Sequence, residues 1–173
     1  MSWHFPLFNW DGSIPTGNHP GAFGSVRKHD VHTGVDLYVP ASCLVYAFES
    51  GTVVAIEEFT GPEAESPWWL PTQAILVEGP TGVVCYGEVV AINLDVGDKV
   101  SQGQILAYVS PVLPEGKERP DIPGHSRFML HFELYQRGTR ETVWWYKDEP
   151  KPKNLKDPTD YLLEACESND IWT

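Results

Sequence analysis

The chain has 173 residues, enough for one domain with a real core. Apolar residues make up 42%, with seven each of Trp, Tyr and Phe, which excludes disorder of the whole chain. A formal charge of -12 argues against nonspecific nucleic-acid binding, which needs clustered Lys and Arg, and disfavours attraction to anionic membranes or anionic cell-wall polymers.

The three cysteines, Cys43, Cys85 and Cys166, are far apart and form no CxxC pair. They read as free or buried thiols rather than a disulfide framework, which favours a reducing compartment. The N-terminus shows neither a basic n-region nor a long apolar h-region, so the expected location is cytoplasmic, with non-classical export left open. No stretch approaches the roughly 20 apolar residues that span a bilayer.

Residues 1–31 are rich in Gly, Pro, His and aromatics and read as an irregular arm packed on a single β domain, 32–173. From Val35 the pattern turns to short β runs bounded by Gly or Pro: Val35–Val39, Leu44–Phe48, Thr52–Glu58, Gln73–Glu78 and Gly82–Val90. Gln104–Val109, Arg127–Tyr135 and Glu141–Tyr146 continue the series. Such regular short spacing predicts an all-β sandwich or barrel-like domain. Two Pro-rich loops interrupt it, Thr60–Thr72 around Trp68 and Trp69, and Ser110–Ser126. Each reads equally as a groove wall or as a surface insertion. One helix is predicted near the C-terminus, with Asp157 as N-cap, Pro158 in the first turn, and Tyr161, Leu162 and Ala165 at helical spacing.

Two separated segments carry the chemistry: His32-Thr33-Gly34-Val35-Asp36 and Leu130-His131-Phe132-Glu133. Together they offer two imidazoles and a carboxylate, a ligand set that suits zinc with one position open. A flat strand would hold the Cα atoms of His32 and Asp36 about 13 Å apart, too far for both to meet one ion. The backbone must bend between them, and Gly34 permits that bend. Alternation along Arg127–Tyr135 puts Met129, His131 and Glu133 on one face and Leu130, Phe132 and Leu134 on the other, core face. Glu133 then reads either as a residue that orients a ligand imidazole or as an exposed or ion-paired strand carboxylate.

The order H-T-G-V-D, G-T-V-V, V-V-C-Y-G-E, V-G-D-K-V-S-Q-G-Q-I-L-A and M-L-H-F-E resembles the lysostaphin-type zinc metallopeptidases, from roughly Phe23 to Leu163. That resemblance implies a duplicated hybrid motif of curved antiparallel sheets, zinc as cofactor, and a peptide or peptidoglycan-like substrate. It implies that His32, Asp36 and His131 bind the ion, which acts as a Lewis acid and lowers the pKa of its water.

Two positions depart from the family pattern. Where it has a His two residues before the metal-binding His131, this chain has Met129. Where it has a second catalytic His after a Tyr-x pair, Tyr86-Gly87 is followed by Glu88. Met129 cannot usefully exchange a proton. Glu88 reads as a carboxylate base, as a fourth ligand that closes the site, or as a solvated residue. His125 is the best placed of the other histidines to compensate, ahead of His4, His19 and His29. Arg27, in Phe23-Gly24-Ser25-Val26-Arg27, reads as a support for a loop or for an anionic substrate group, with a structural salt bridge as the simpler role.

Three functions follow. The leading one is a divergent zinc metallopeptidase-like protein, an amide hydrolase with atypical accessory residues. The alternative is a catalytically inactive, metal-containing binding module. Val96–Gln104 also resembles the hairpin of biotinyl and lipoyl carriers, but Lys99 lacks their flanking motif, so a carrier role is disfavoured.

Overall fold

The computed structural model describes residues 2–170; the outermost ends of the expected arm (residue 1) and β domain (171–173) lie outside them. Nine strands form one antiparallel sheet system: β1 (Val35–Tyr38), β2 (Leu44–Tyr46), β3 (Gly51–Thr60), β4 (Thr72–Gly79), β5 (Gly82–Ala91), β6 (Lys99–Val100), β7 (Ile105–Val109), β8 (Met129–Tyr135) and β9 (Leu155–Lys156). The main path runs β1-β8-β5-β4-β3-β6, with β7 joining β2 and β5, and β9 added to β8. The fold is all-β, closed at the C-terminus by one helix, α1 (Thr159–Asp170).

Alternation decides what each face buries. Leu130, Phe132 and Leu134 of β8 enter the larger core with Leu37, Phe48, Ile75 and Tyr86. The opposite face of the sheet carries a smaller cluster that includes Leu76, Cys85, Tyr135 and Leu155, with Phe59 and Trp145 packed against it. Both faces of β8 are therefore covered, and all seven of its residues are buried. Leu162 and Ala165 seat α1 on the larger core, and Asp157 Oδ1 accepts the Thr159 N–H at 2.9 Å, capping the helix. That helix is not long and apolar enough to cross a membrane.

One local reading needs correction. Glu141–Tyr146 is not a strand; it is an irregular segment tied down by an isolated bridge from Asp30 to Tyr146 and by the Val31 N–H to the Trp145 carbonyl at 2.8 Å. Its aromatics suit a pleated surface in propensity, but here Trp144 and Trp145 line a cavity instead. Strands β6 and β9, two residues each, are too short to show any periodicity. Lys99 sits within β6, paired with β3, and its Nζ donates to Thr52 Oγ1 at 2.8 Å, so it is not at a hairpin tip.

Strand β5 positions the site. Up to Gly87 it pairs with β8, and from Val89 onward it pairs with β7. Glu88 lies at this fork, where the register against β4 also shifts, and it has φ 64. A bulge at that point bends the strand and re-aims one side chain.

Candidate metal centre

His32 enters from a small hairpin. Val26 bridges Val31, the His32 N–H donates to the Ser25 carbonyl at 2.9 Å, and the Gly24 N–H donates to the His32 carbonyl at 2.9 Å. The chain then bends at Gly34 and enters β1, where Asp36 stands directly across from His131 of β8. Gly34 has a second role beyond the bend. A Cβ there would lie 2.5 Å from the Phe132 carbonyl oxygen and 3.0 Å from both the Glu133 Cγ and the His131 Cε1. Only glycine lets the loop lie this close to β8.

These three residues converge. Asp36 Oδ1 is 2.9 Å from His131 Nδ1, Asp36 Oδ2 is 3.3 Å from His32 Nε2, and the two ring nitrogens are 3.2 Å apart. The remaining nitrogen of each imidazole has its own partner. His32 Nδ1 donates to the Ala22 carbonyl at 3.0 Å, and His131 Nε2 donates to Glu133 Oε2 at 2.9 Å. Those outer bonds orient the two rings, so that the inner nitrogens, once deprotonated, present lone pairs to a shared cation. Three buried acceptors then face one another, an arrangement satisfied by a proton or by a metal cation. Their chemistry fits a divalent ion of the zinc type. Among the described residues, this trio is the group of His, Cys, Asp and Glu side chains whose donor atoms lie within 4.8 Å of one another.

The electrostatics agree. Burial works against charge on Asp36, yet the neighbouring imidazoles outweigh it and hold the carboxyl well below the usual range. Burial likewise opposes a charged His131, but its hydrogen bonds to Asp36 and Glu133 push it up to about 10. The centre is built to hold positive charge.

Glu133 is buried, not exposed. It accepts from His131, from the Thr33 hydroxyl and, at 2.7 Å, from the Tyr135 hydroxyl. Burial resists its ionisation, but the bond to His131 keeps its pKa lowered. Thr33 and Tyr135 were not singled out from the sequence. Tyr135 was legible in principle, since it follows Glu133 by two on the same face of β8. Phe59, whose ring lies 5.3 Å from that of His131, had no comparable signal.

A cavity of about 610 Å³ opens beside the trio. Glu88 and Met129 both line it, as do Trp68, Trp69, Trp144 and Trp145. Glu88 Oε2 is enclosed and has no hydrogen-bond partner. Burial, reinforced by the charge of Asp36, pushes its pKa up to about 8. Among the described residues, Glu88 is not one of the donors that lie within 4.8 Å of one another. Arg27 also lines the cavity; it is 3.9 Å from Asp36 Oδ2 and donates to the Pro20 carbonyl at 3.1 Å. His125 is not brought to the cluster: its Nδ1 accepts the Arg119 N–H at 2.8 Å within its own loop.

An antiparallel sheet carrying a buried His-Asp-His trio at the floor of a cleft is the framework of a candidate metal-binding protein. The match is to Peptidase family M23 over residues 30–142, and the chain belongs to that family. No curated protein sequence matches it. Among solved structures, it is similar to CbpA from L. salivarius REN, with 19% identity, TM-score 0.58, and coverage of 96% of this chain and 98% of that one. It is also similar to a putative peptidase M23 from Pseudomonas aeruginosa, with 16% identity, TM-score 0.50, and coverage of 95% and 53%. A zinc-containing peptidase from Vibrio cholerae shows 18% identity and TM-score 0.53, with coverage of 87% and 40%. The chain thus spans about half the length of the Pseudomonas protein and less of the Vibrio one.

Proposed function

We propose that this chain is a zinc-dependent peptide hydrolase in which Glu88 replaces an imidazole as the base. The observation that carries this reading is the enclosed, unpartnered carboxylate of Glu88, set at the fork of the sheet in the same cavity as His32, Asp36 and His131. The trio would hold the ion, with Glu133 fixing His131 and the Ala22 carbonyl fixing His32. When bound, zinc supplies a Lewis acid that polarises a carbonyl and acidifies water.

Glu88 then takes the proton from the attacking water and returns it to the leaving amine. Burial lifts the Glu88 carboxyl above the usual carboxylate range, which strengthens it as a proton acceptor, and a cation in the trio would offset the part of that rise due to Asp36 and favour the ionised, basic form. The similarity of the sequence to lysostaphin-type enzymes makes a peptidoglycan-like peptide the natural substrate class, and the similarity to a zinc-containing peptidase supports zinc.

Met129 favours a second reading. It puts an apolar thioether on the cavity wall, where no proton can be donated to a developing oxyanion. On that reading the chain is a binding module that keeps the metal for ligand recognition. Turnover of peptidoglycan cross-bridge peptides by zinc-loaded protein separates the two. The hydrolase reading expects a loss of about 100-fold or more in Glu88→Gln, the scale of a lost general base. Equal turnover in that variant removes Glu88 as the base, and zinc-loaded protein that cleaves no peptide supports the binding module.

A further inference from the structure

The part of the cavity wall formed by residues 142–145 belongs to neither strand nor helix, so its place depends on the few backbone groups that tie it down. Three ties hold it. The Thr142 N–H donates to Glu57 Oε1 on β3 at 3.0 Å. The Trp145 carbonyl accepts the Val31 N–H at 2.8 Å, one residue before His32. The Val143 N–H donates to the Tyr135 hydroxyl at 3.2 Å. That hydroxyl in turn donates to Glu133 Oε1 at 2.7 Å, and the other oxygen of the same carboxylate accepts from His131 Nε2 at 2.9 Å. Tyr135 is 0% exposed, so bulk water replaces neither of its bonds. Burial, and then the charge of Glu133, raises the pKa of the phenol, which therefore keeps the proton it donates. An unbroken run of hydrogen bonds thus leads from the segment that carries Trp144 and Trp145 to a ring of the trio.

We infer that Tyr135 is a positioning residue: it links the setting of the His131 ring to the place of the Trp144–Trp145 wall, so that metal occupancy and the wall are coupled. This rests on the metal site of the proposed reading and adds to it. A fixed His131 ring holds the Glu133 carboxylate through Nε2, and the carboxylate holds the Tyr135 hydroxyl through Oε1. Tyr135 passes that constraint to the Val143 amide, on a segment with no ladder of its own. Linkage is reciprocal: what orders the wall also steadies His131.

Two measurements test it. The first is zinc affinity, read by competition with a chelating dye, in a double-mutant cycle of Tyr135→Phe and Glu133→Ala. Phenylalanine keeps the ring in the core and removes only the hydroxyl, and circular dichroism checks the fold of each variant. Tyr135→Phe is expected to weaken zinc binding about three- to tenfold in the wild-type background. In the Glu133→Ala background it is expected to change affinity less than about twofold, because Tyr135 acts on the trio through that carboxylate. The second is fluorine NMR of fluorotryptophan-labelled protein, with the Trp144 and Trp145 signals assigned by Trp→Phe variants; it needs no change at Glu133. Zinc is expected to shift at least one of these signals in wild type, and the shift is expected to fall by about half or more in zinc-saturated Tyr135→Phe.

Unchanged zinc affinity in Tyr135→Phe, an equal loss in both backgrounds, or a zinc-dependent shift that is absent from wild type or undiminished in the variant overturns the inference. Wild type that takes up no zinc fails the metal reading and the inference with it. Wild type that binds zinc while Tyr135→Phe stays silent fails only the inference. Protein that shows the coupling yet cleaves no peptide fails only the hydrolase reading.

Discussion

Replacing Glu88 by Gln keeps the side chain's shape and removes its ionisation. In the folded chain this carboxyl is raised from 4.5 to about 8, first by burial and then by the charge of Asp36. Each pKa unit corresponds to about 1.4 kcal/mol, so ionising Glu88 within the fold costs at most about 5 kcal/mol. Relaxation and water entry reduce that ceiling, and about 2 to 3 kcal/mol is the expected size. The sign follows from linkage. A group whose folded pKa lies above its unfolded value contributes stability fully present below about pH 4.5 and lost as pH rises to about 8. Glu88→Gln carries no such loss. In chelator-treated protein, urea unfolding across pH 4.5 to 9 should show variant and wild type converging at the acid end. The variant should gain progressively toward pH 8 and then hold a constant advantage. Zinc should narrow the gap, because a cation in the trio offsets the charge of Asp36. A difference that does not change with pH would refute the claim that this carboxylate is sealed against its own charge.

Other substitutions probe the supporting structure. Gly34→Ala drives a Cβ to 2.5 Å from the Phe132 carbonyl and should cost about 1 to 3 kcal/mol in denaturant unfolding, with weakened zinc binding; unchanged values would show that the loop relaxes freely. Glu133→Gln removes the carboxylate that orients His131 and should lower zinc affinity by about 10- to 100-fold in competition with a chelating dye, whereas an unaltered affinity would make Glu133 purely structural. Met129→His restores a proton donor to the cavity wall and should raise turnover of cross-bridge peptides by about tenfold or more; no gain would mean that position is not limiting.

Much of the sheet was legible because Val, Ile and aromatic runs stop at Gly or Pro, as in β3, β4 and β5. The inward face of β8 followed from alternation alone, and Leu130, Phe132 and Leu134 do enter the larger core. The trio was legible as residue types, and the bend at Gly34 as a geometric necessity. What sequence could not show was the fork of β5. Glu88 sits in an apparently regular run, and its φ of 64 arises only because β8 and β7 take different halves of that strand. Glu141–Tyr146 misled for the opposite reason: its local propensity is that of a strand, but tertiary contacts use its tryptophans as a cavity wall. The carbonyl of Ala22 that orients His32 was invisible because a backbone group carries no residue signature.

The central claim is that His32, Asp36 and His131 form a zinc site whose imidazole rings are oriented in advance. Calorimetric titration of chelator-treated protein with zinc, repeated with His131→Ala, tests it most directly. Wild type should bind about one ion per chain, and His131→Ala should lose that binding because a trio becomes a pair. Failure of wild type to take up zinc, or uptake undiminished in the variant, would contradict it.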